Sequence, residues 1–212
     1  YILIGDNMYE AIKLDYTLNS LYPYLTYDVL NVHYNEIYLK YIEALNNLLL
    51  KTNNHYDHNP SILINNVDIF PLSIRGEILY NLSAFLNHNL YFYNISNANN
   101  LYPVGILKTD IDKSFGSFAN FMTEFKKSAN NLKGSGYTFL VYNQNKLSII
   151  NTSNEDSPYS YRMFPVICLD LWEHAYFLEY RADRGKYIDN FFKIIDFRKI
   201  NTRYEKFLKA NK

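Results

Sequence analysis

This 212-residue sequence has a single cysteine, few glycines and no net charge. A single cysteine, Cys168, excludes an internal disulfide and leaves a reducing compartment allowed. It lies inside an apolar run, where a buried thiol acts as inert packing. Seven glycines against 22 tyrosines and 14 phenylalanines argue against disorder and predict a compact, aromatic-rich core. Lysine plus arginine equals aspartate plus glutamate, 21 each, so the net charge is zero. That balance argues against a general nucleic-acid or acidic-membrane binder, which needs a basic surplus. No stretch approaches the roughly 18 consecutive apolar residues of a membrane span. The chain starts at Tyr1 without methionine, as a processed or trimmed product would. The expected location is intracellular, with a mitochondrion or another organelle favoured over the cytoplasm.

The N-terminal half reads as helical. Residues 1 to 20 carry little pattern and are expected to form an extended arm. Thr26 is a candidate N-cap for a helix from about Tyr27 to Leu50. Val29, Leu30, His33, Ile37, Tyr41, Ala44, Leu45 and Leu48 recur there at three- and four-residue spacing. A polar loop containing His55 and His58 follows and closes at Pro60. A second periodic helix is expected from about Ile74 to Tyr93, carrying Ile78, Leu82, Phe85, His88 and Phe92. The two helices predict an antiparallel hairpin.

Asn94 to Asn100 is the clearest linker, which sets domains at 1–100 and 101–212. The second half predicts a helical region over Lys108 to Leu132, broken near Gly116. Strands follow at Tyr137 to Tyr142, Lys146 to Asn151 and Val166 to Leu169, and helices at Gly185 to Ile195 and Asn201 to Lys209. The fold class is therefore α+β: a helical hairpin domain followed by a C-terminal α/β domain with a three-stranded antiparallel sheet.

Candidate chemistry concentrates where the third strand ends. Asp170 and His174 stand four residues apart, with the only tryptophan, Trp172, between them. Asp170 capping a turn and His174 packed in the core is the plainer alternative. His55 and His58 have metal-pair spacing, but their Asn- and Pro-rich loop points to solvated bystanders. His33 and His88 lie on the apolar faces of the two helices and so point into one interhelical space. Three imidazoles and one carboxylate suit iron or manganese; three histidines also suit zinc.

The stretch D-L-W-E-H-A-Y-F from Asp170 resembles the D-x-W-E-H-A-Y signature of the iron/manganese superoxide dismutases, a highly specific motif. Stretches around His33 (L-Y-P-Y-L-T-Y-D-V-L-N-V-H-Y and K-Y-I-E-A-L-N-N-L), around His88 (L-N-H-N-L-Y-F) and in the second half (F-G-S-F-A-N-F-M-T-E-F-K, G-S-G-Y-T-F-L-V, N-T-S-N-E-D-S-P, E-Y-R-A-D-R-G-K-Y) agree with it, in order, from about Ser20 onward. The resemblance implies His33, His88, Asp170 and His174 as metal ligands. It implies disproportionation of superoxide to dioxygen and hydrogen peroxide by an ion cycling between trivalent and divalent states. Tyr41 matches the family's gateway tyrosine, Trp172 an apolar wall and Arg184 a funnel arginine. Glu173 matches the glutamate that supports the ligating histidine of a second subunit, so a homodimer is implied. Iron is expected over manganese, on a composition shared with iron-using protist lineages.

Several positions depart from the family. Its usual glutamine against the bound solvent is missing from both places that supply it, which here hold Ala84 and Glu155. The small residue before His88 and the N-E-D-S-P segment follow the manganese pattern, with Glu155 replacing its glutamine. Ile37 and Phe177 replace a histidine–tyrosine pair formed across the dimer. Leu86 and Tyr137 stand where tryptophan is common, an exchange expected to loosen the aromatic wall, and Glu36 replaces a frequent lysine. These departures keep open an alternative: a dismutase-like paralogue of low turnover, serving as a structural or metal-holding dimer.

Overall fold

The computed structural model of the chain describes residues 9–52 and 59–211. The His55–His58 pair and the start of the N-terminal arm lie outside the described residues. The first long helix runs as three consecutive segments: α1 (Tyr27–Asn31), a π-helical stretch (Val32–Tyr38) and α2 (Leu39–Leu50). Thr26 occupies the N-cap position, but its side chain makes no capping bond. Its backbone N–H instead donates to Glu179 Oε2 at 2.8 Å, so a carboxylate distant in sequence satisfies the helix entrance. A short helix α3 (Pro60–Leu63) and a 3-10 turn (Val67–Ile69) lead into α4 (Leu72–Asn94), which packs against α2 as the second arm of the hairpin.

The arm residues that are described lie along this hairpin. Asn46 grips Tyr9 through both main-chain groups, at 2.9 Å each, and the Tyr38 hydroxyl accepts from the Ile12 N–H at 3.0 Å. Side chains thus replace a strand partner for this stretch of backbone.

The second half contributes α5 (Gly105–Phe115), α6 (Phe118–Asn131), β1 (Gly136–Asn143), β2 (Lys146–Ser153) and β3 (Phe164–Asp170). After them come α7 (Phe177–Tyr180), α8 (Arg184–Phe191) and α9 (Phe197–Ala210). Gly116 has φ +80° and ends α5 as a left-handed C-cap, which is why the predicted helix breaks there. The sheet is antiparallel in the order β2-β1-β3. Gln144 and Asn145, both at positive φ, form the two-residue turn between β1 and β2.

Two contacts bring the halves together. β3 lies against α4, and its residues Pro165 to Asp170 are all buried. The 94–100 linker is stitched to the C-terminal helices: Ser96 N–H donates to Ile194 O and Asp196 N–H to Asn94 O, each at 2.7 Å. Asp196 accepts four further bonds, from Ser96, Asn100 and the first-turn N–H groups of Arg198 and Lys199. It therefore caps α9 and fixes the linker at once. No helix among the described residues is long and apolar enough to cross a membrane.

Candidate metal centre

Four side chains meet where the hairpin faces the end of β3. His33 lies in the π-helical stretch, a local widening of the helix that recurs at functional sites. Its ring is wholly buried, with ring centroids 4.9 Å from Tyr91 and 4.8 Å from Phe92. His88 is equally buried on α4. Its Nδ1 stands 2.7 Å from Ala84 O. A carbonyl only accepts, so Nδ1 carries the proton and Nε2 presents its lone pair. Asp170 is the last residue of β3, and its own carbonyl accepts from the Tyr187 hydroxyl at 2.8 Å.

Asp170 Oδ2 is the centre of the group. It lies 3.2 Å from His33 Nε2, 3.3 Å from His174 Nε2 and 3.7 Å from His88 Nε2. The four ligand atoms all fall within 4.8 Å of one another. Donors held about 2.1 Å from one ion stand roughly 3.0–3.6 Å apart at ordinary coordination angles, so the spacing suits a shared cation. His33 Nε2 and His88 Nε2 are buried without hydrogen-bond partners. Such orphaned buried groups are costly unless something accepts their lone pairs, and a cation does so.

Protonation agrees with this. Burial pulls His33 down to about 4 and His88 to about 3; in His33 the neighbouring Asp170 opposes the shift, and in His88 the His33 charge adds to it. Burial works to raise Asp170, but His174 and His33 outweigh it and hold the carboxyl well below the usual range. At neutral pH the group thus contains neutral His33 and His88 beside an ionised Asp170, which is the state that binds metal.

The surroundings bring together the other residues singled out from the sequence. The Tyr41 ring lies 5.3 Å from the His88 ring, and its hydroxyl donates to Glu155 Oε1 at 3.2 Å. Burial, reinforced by the Glu155 charge, raises Tyr41 far above an ordinary phenol. The Trp172 ring stacks on His174 at 5.7 Å, and its Nε1–H donates to Asn154 O at 3.2 Å. Glu155 is buried; burial first, then the Asp170 charge, pushes its carboxyl up to about 7. Arg184 is partly exposed and donates to Gly134 O at 3.3 Å and Leu132 O at 2.5 Å. Glu173, beside the site, is exposed, as is Phe177, while Ile37 is half-buried.

The structure alters one expectation. Tyr137 does not loosen the aromatic surround: its ring packs 6.2 Å from that of His88 and its hydroxyl donates to Glu155 Oε2 at 2.7 Å. Sequence reasoning also passed over Asn87. Its side-chain amide donates to Glu155 O at 3.1 Å and Asp156 O at 3.4 Å, tying this loop to α4 next to His88. The available signal was a polar residue on the buried face of a helix, directly before a candidate ligand.

Comparison with known proteins finds matches along both halves of the chain. Residues 8–96 match the family description "Iron/manganese superoxide dismutases, alpha-hairpin domain", and residues 103–203 match the C-terminal domain of the same family. A manganese-named superoxide dismutase of Listeria monocytogenes is 34% identical over 197 residues, covering 93% of this chain and 98% of that protein. One of Listeria ivanovii gives the same figures. One of Haemophilus ducreyi is 30% identical over 203 residues, covering 93% and 94%.

Proposed function

Because this chain belongs to the iron/manganese superoxide dismutases, we propose that His33, His88, Asp170 and His174 hold its metal ion and that Tyr41, Glu155, Trp172 and Arg184 serve the reaction beside it. The activity is superoxide dismutation: two superoxide anions and two protons give dioxygen and hydrogen peroxide. The carrying observation is the convergence of four metal-binding atoms, two of them imidazole nitrogens with no other partner, in a buried space. When bound, the ion supplies the couple that takes an electron from one superoxide and returns it to the next.

The protein's part is positional and electrostatic. The anionic Asp170 favours the higher oxidation state. Tyr41 and Glu155 hold protons close to His88, where a small anion needs them on reduction. Trp172 covers one side of His174 and limits water. Arg184 keeps a fixed positive charge near the surface and draws in an anion although the chain is neutral overall.

The ion is iron or manganese. The composition speaks for iron. Ala84, Glu155 in the N-E-D-S-P segment and the manganese-named relatives speak for manganese. The ligand set suits both. No observation favours the low-turnover paralogue. Metal analysis of the purified chain, paired with a superoxide-consumption assay after loading with each ion in turn, decides the metal.

A homodimer completes the proposal. The exposed Glu173 carboxylate makes no hydrogen bond or ion pair among the described residues, and His174 Nδ1 has no partner within them. Glu173 reaching His174 of a second copy satisfies both groups and orients the ligand. Sedimentation of the parent and of Glu173→Ala tests this: a dimer that dissociates and loses metal supports it, and a metal-loaded monomer contradicts it.

A further inference from the structure

Glu155 is a buried carboxylate that needs holding, and every polar contact around it has a geometric source. Its main chain is tied to α4 through Asn87 and, one residue earlier, to Trp172 through the Asn154 carbonyl. Its side chain has one donor per oxygen: Tyr41 on Oε1 at 3.2 Å and Tyr137 on Oε2 at 2.7 Å. Both phenol rings also rest against the His88 ring, so the carboxyl bridges two tyrosines that flank one proposed ligand.

The two donors are unequal. Tyr41 is partly exposed and makes the longer bond, whereas Tyr137 is fully buried at the start of β1. Tyr137 pairs across the sheet with Asp170 on β3 and with Thr152 on β2. A phenylalanine could fill the same volume, so packing alone does not account for the hydroxyl. At 2.7 Å the bond is as short as a well-formed O–H···O bond. It also comes from a sheet position that the Asp170 pairing keeps in register.

We infer that Tyr137 is a positioning residue for the dismutase reaction: its hydroxyl, carried on the central strand beside Asp170, holds Glu155 over the metal-binding group. Tyr137 and Glu155 then form a matched pair. The carboxylate supplies a partner for the buried hydroxyl, and the hydroxyl fixes the carboxyl relative to His88. Either one alone leaves a buried polar group short of a partner. The inference rests on the proposed dismutase reading, and its test has an arm that does not depend on activity.

Tyr137→Phe removes the hydroxyl and keeps the ring. In metal-free protein with carboxyl-labelled glutamate, the Glu155 Cδ resonance, assigned by its loss in Glu155→Gln, moves in Tyr137→Phe. In the metal-loaded enzyme kcat falls by about ten-fold or more at unchanged metal content. In the Glu155→Gln background the same substitution costs clearly less, because the carboxyl that the hydroxyl positions is already gone. An unmoved Cδ resonance, or an equal loss of kcat in both backgrounds, overturns the inference. If Tyr137→Phe does not fold, Glu155→Gln answers from the other side. There the Tyr137 ring Cζ resonance shifts, and a resonance unchanged from the parent is contrary to the pairing. A parent without dismutase activity but with the Cδ shift refutes the functional reading alone.

Discussion

The backbone N–H of Trp172 donates to Asp170 Oδ1 at 2.8 Å, and this bond divides the work of the carboxylate. Oδ1 closes the turn after β3, while Oδ2 is left facing three imidazole nitrogens. The two sequence readings of Asp170, as turn cap and as metal ligand, therefore belong to different oxygens of one residue. Asp170→Asn keeps an acceptor for the Trp172 N–H but loses the charge. Altering a ligand's hydrogen-bond partners already costs metal affinity about 10- to 100-fold, so this ligand change costs about 100-fold or more. Metal content after dialysis against a competing chelator measures it, and full retention of the ion refutes the assignment.

Acid should unfold the metal-free chain through its histidines. His33 and His88 have folded values depressed to about 4 and about 3, against an ordinary 6.5. Groups depressed in this way contribute stability that is fully present above pH 6.5 and is lost as pH falls through the folded values. Denaturation midpoints of the metal-free protein should fall steadily between pH 6.5 and about 4. The metal-loaded protein should resist until protons displace the ion. A flat profile for the metal-free chain contradicts the burial of both rings.

Glu155 has the opposite sign. Its folded value is raised from 4.5 to about 7, so the folded state holds a proton that the unfolded state has released. The contribution of Glu155 to the stability of the metal-free protein therefore declines as pH rises from 4.5 through 7, by roughly 3 kcal/mol at most for such a shift, and offsets part of the gain from the two histidines. Glu155→Gln removes this dependence, and its melting temperature relative to the parent rises between pH 5 and pH 8. In the loaded enzyme, an ionised Glu155 cannot donate a hydrogen bond, so parent activity declines on the alkaline side more than that of Glu155→Gln. Superimposable pH profiles for the two proteins exclude that role.

Asn87→Ala deletes the tie between α4 and the loop carrying Glu155. The buried Glu155 carbonyl loses its donor, which costs about 1–3 kcal/mol of stability, while the carbonyl of the exposed Asp156 can turn to water. Activity per bound metal should fall as well, because the Glu155 main chain is released. Chemical denaturation and metal-normalised turnover check the two effects separately. A destabilised protein with unchanged turnover shows that the loop is held well enough without Asn87.

Much of this architecture can be read from the chain because local pattern and tertiary role agree. The spacing that put His33 and His88 on apolar helix faces reflects their burial, and the four-residue gap from Asp170 to His174 survives as a turn at the end of β3. Gly116 broke the predicted helix where its φ demands. The π-helical stretch around His33 was not legible, because one widened turn leaves the hydrophobic spacing almost unaltered. The start of α9 was placed late: Asp196 caps it, and its other partners, Ser96 and Asn100, lie a hundred residues away. Tyr137 and Glu155 were each read against a family position, so each looked like a loss. Their 2.7 Å bond joins the two exchanged positions, a contact that neither position reveals alone. Pairings between side chains on different elements leave no periodic trace.

Everything proposed for this chain depends on a redox-active ion held by His33, His88, Asp170 and His174. The most direct measurement is elemental analysis of the purified chain together with superoxide consumption, repeated on His88→Ala. The parent should carry close to one iron or manganese ion per chain and turn over fast, and the variant should lose both. Stoichiometric metal without turnover, or turnover that survives loss of His88, contradicts that assignment.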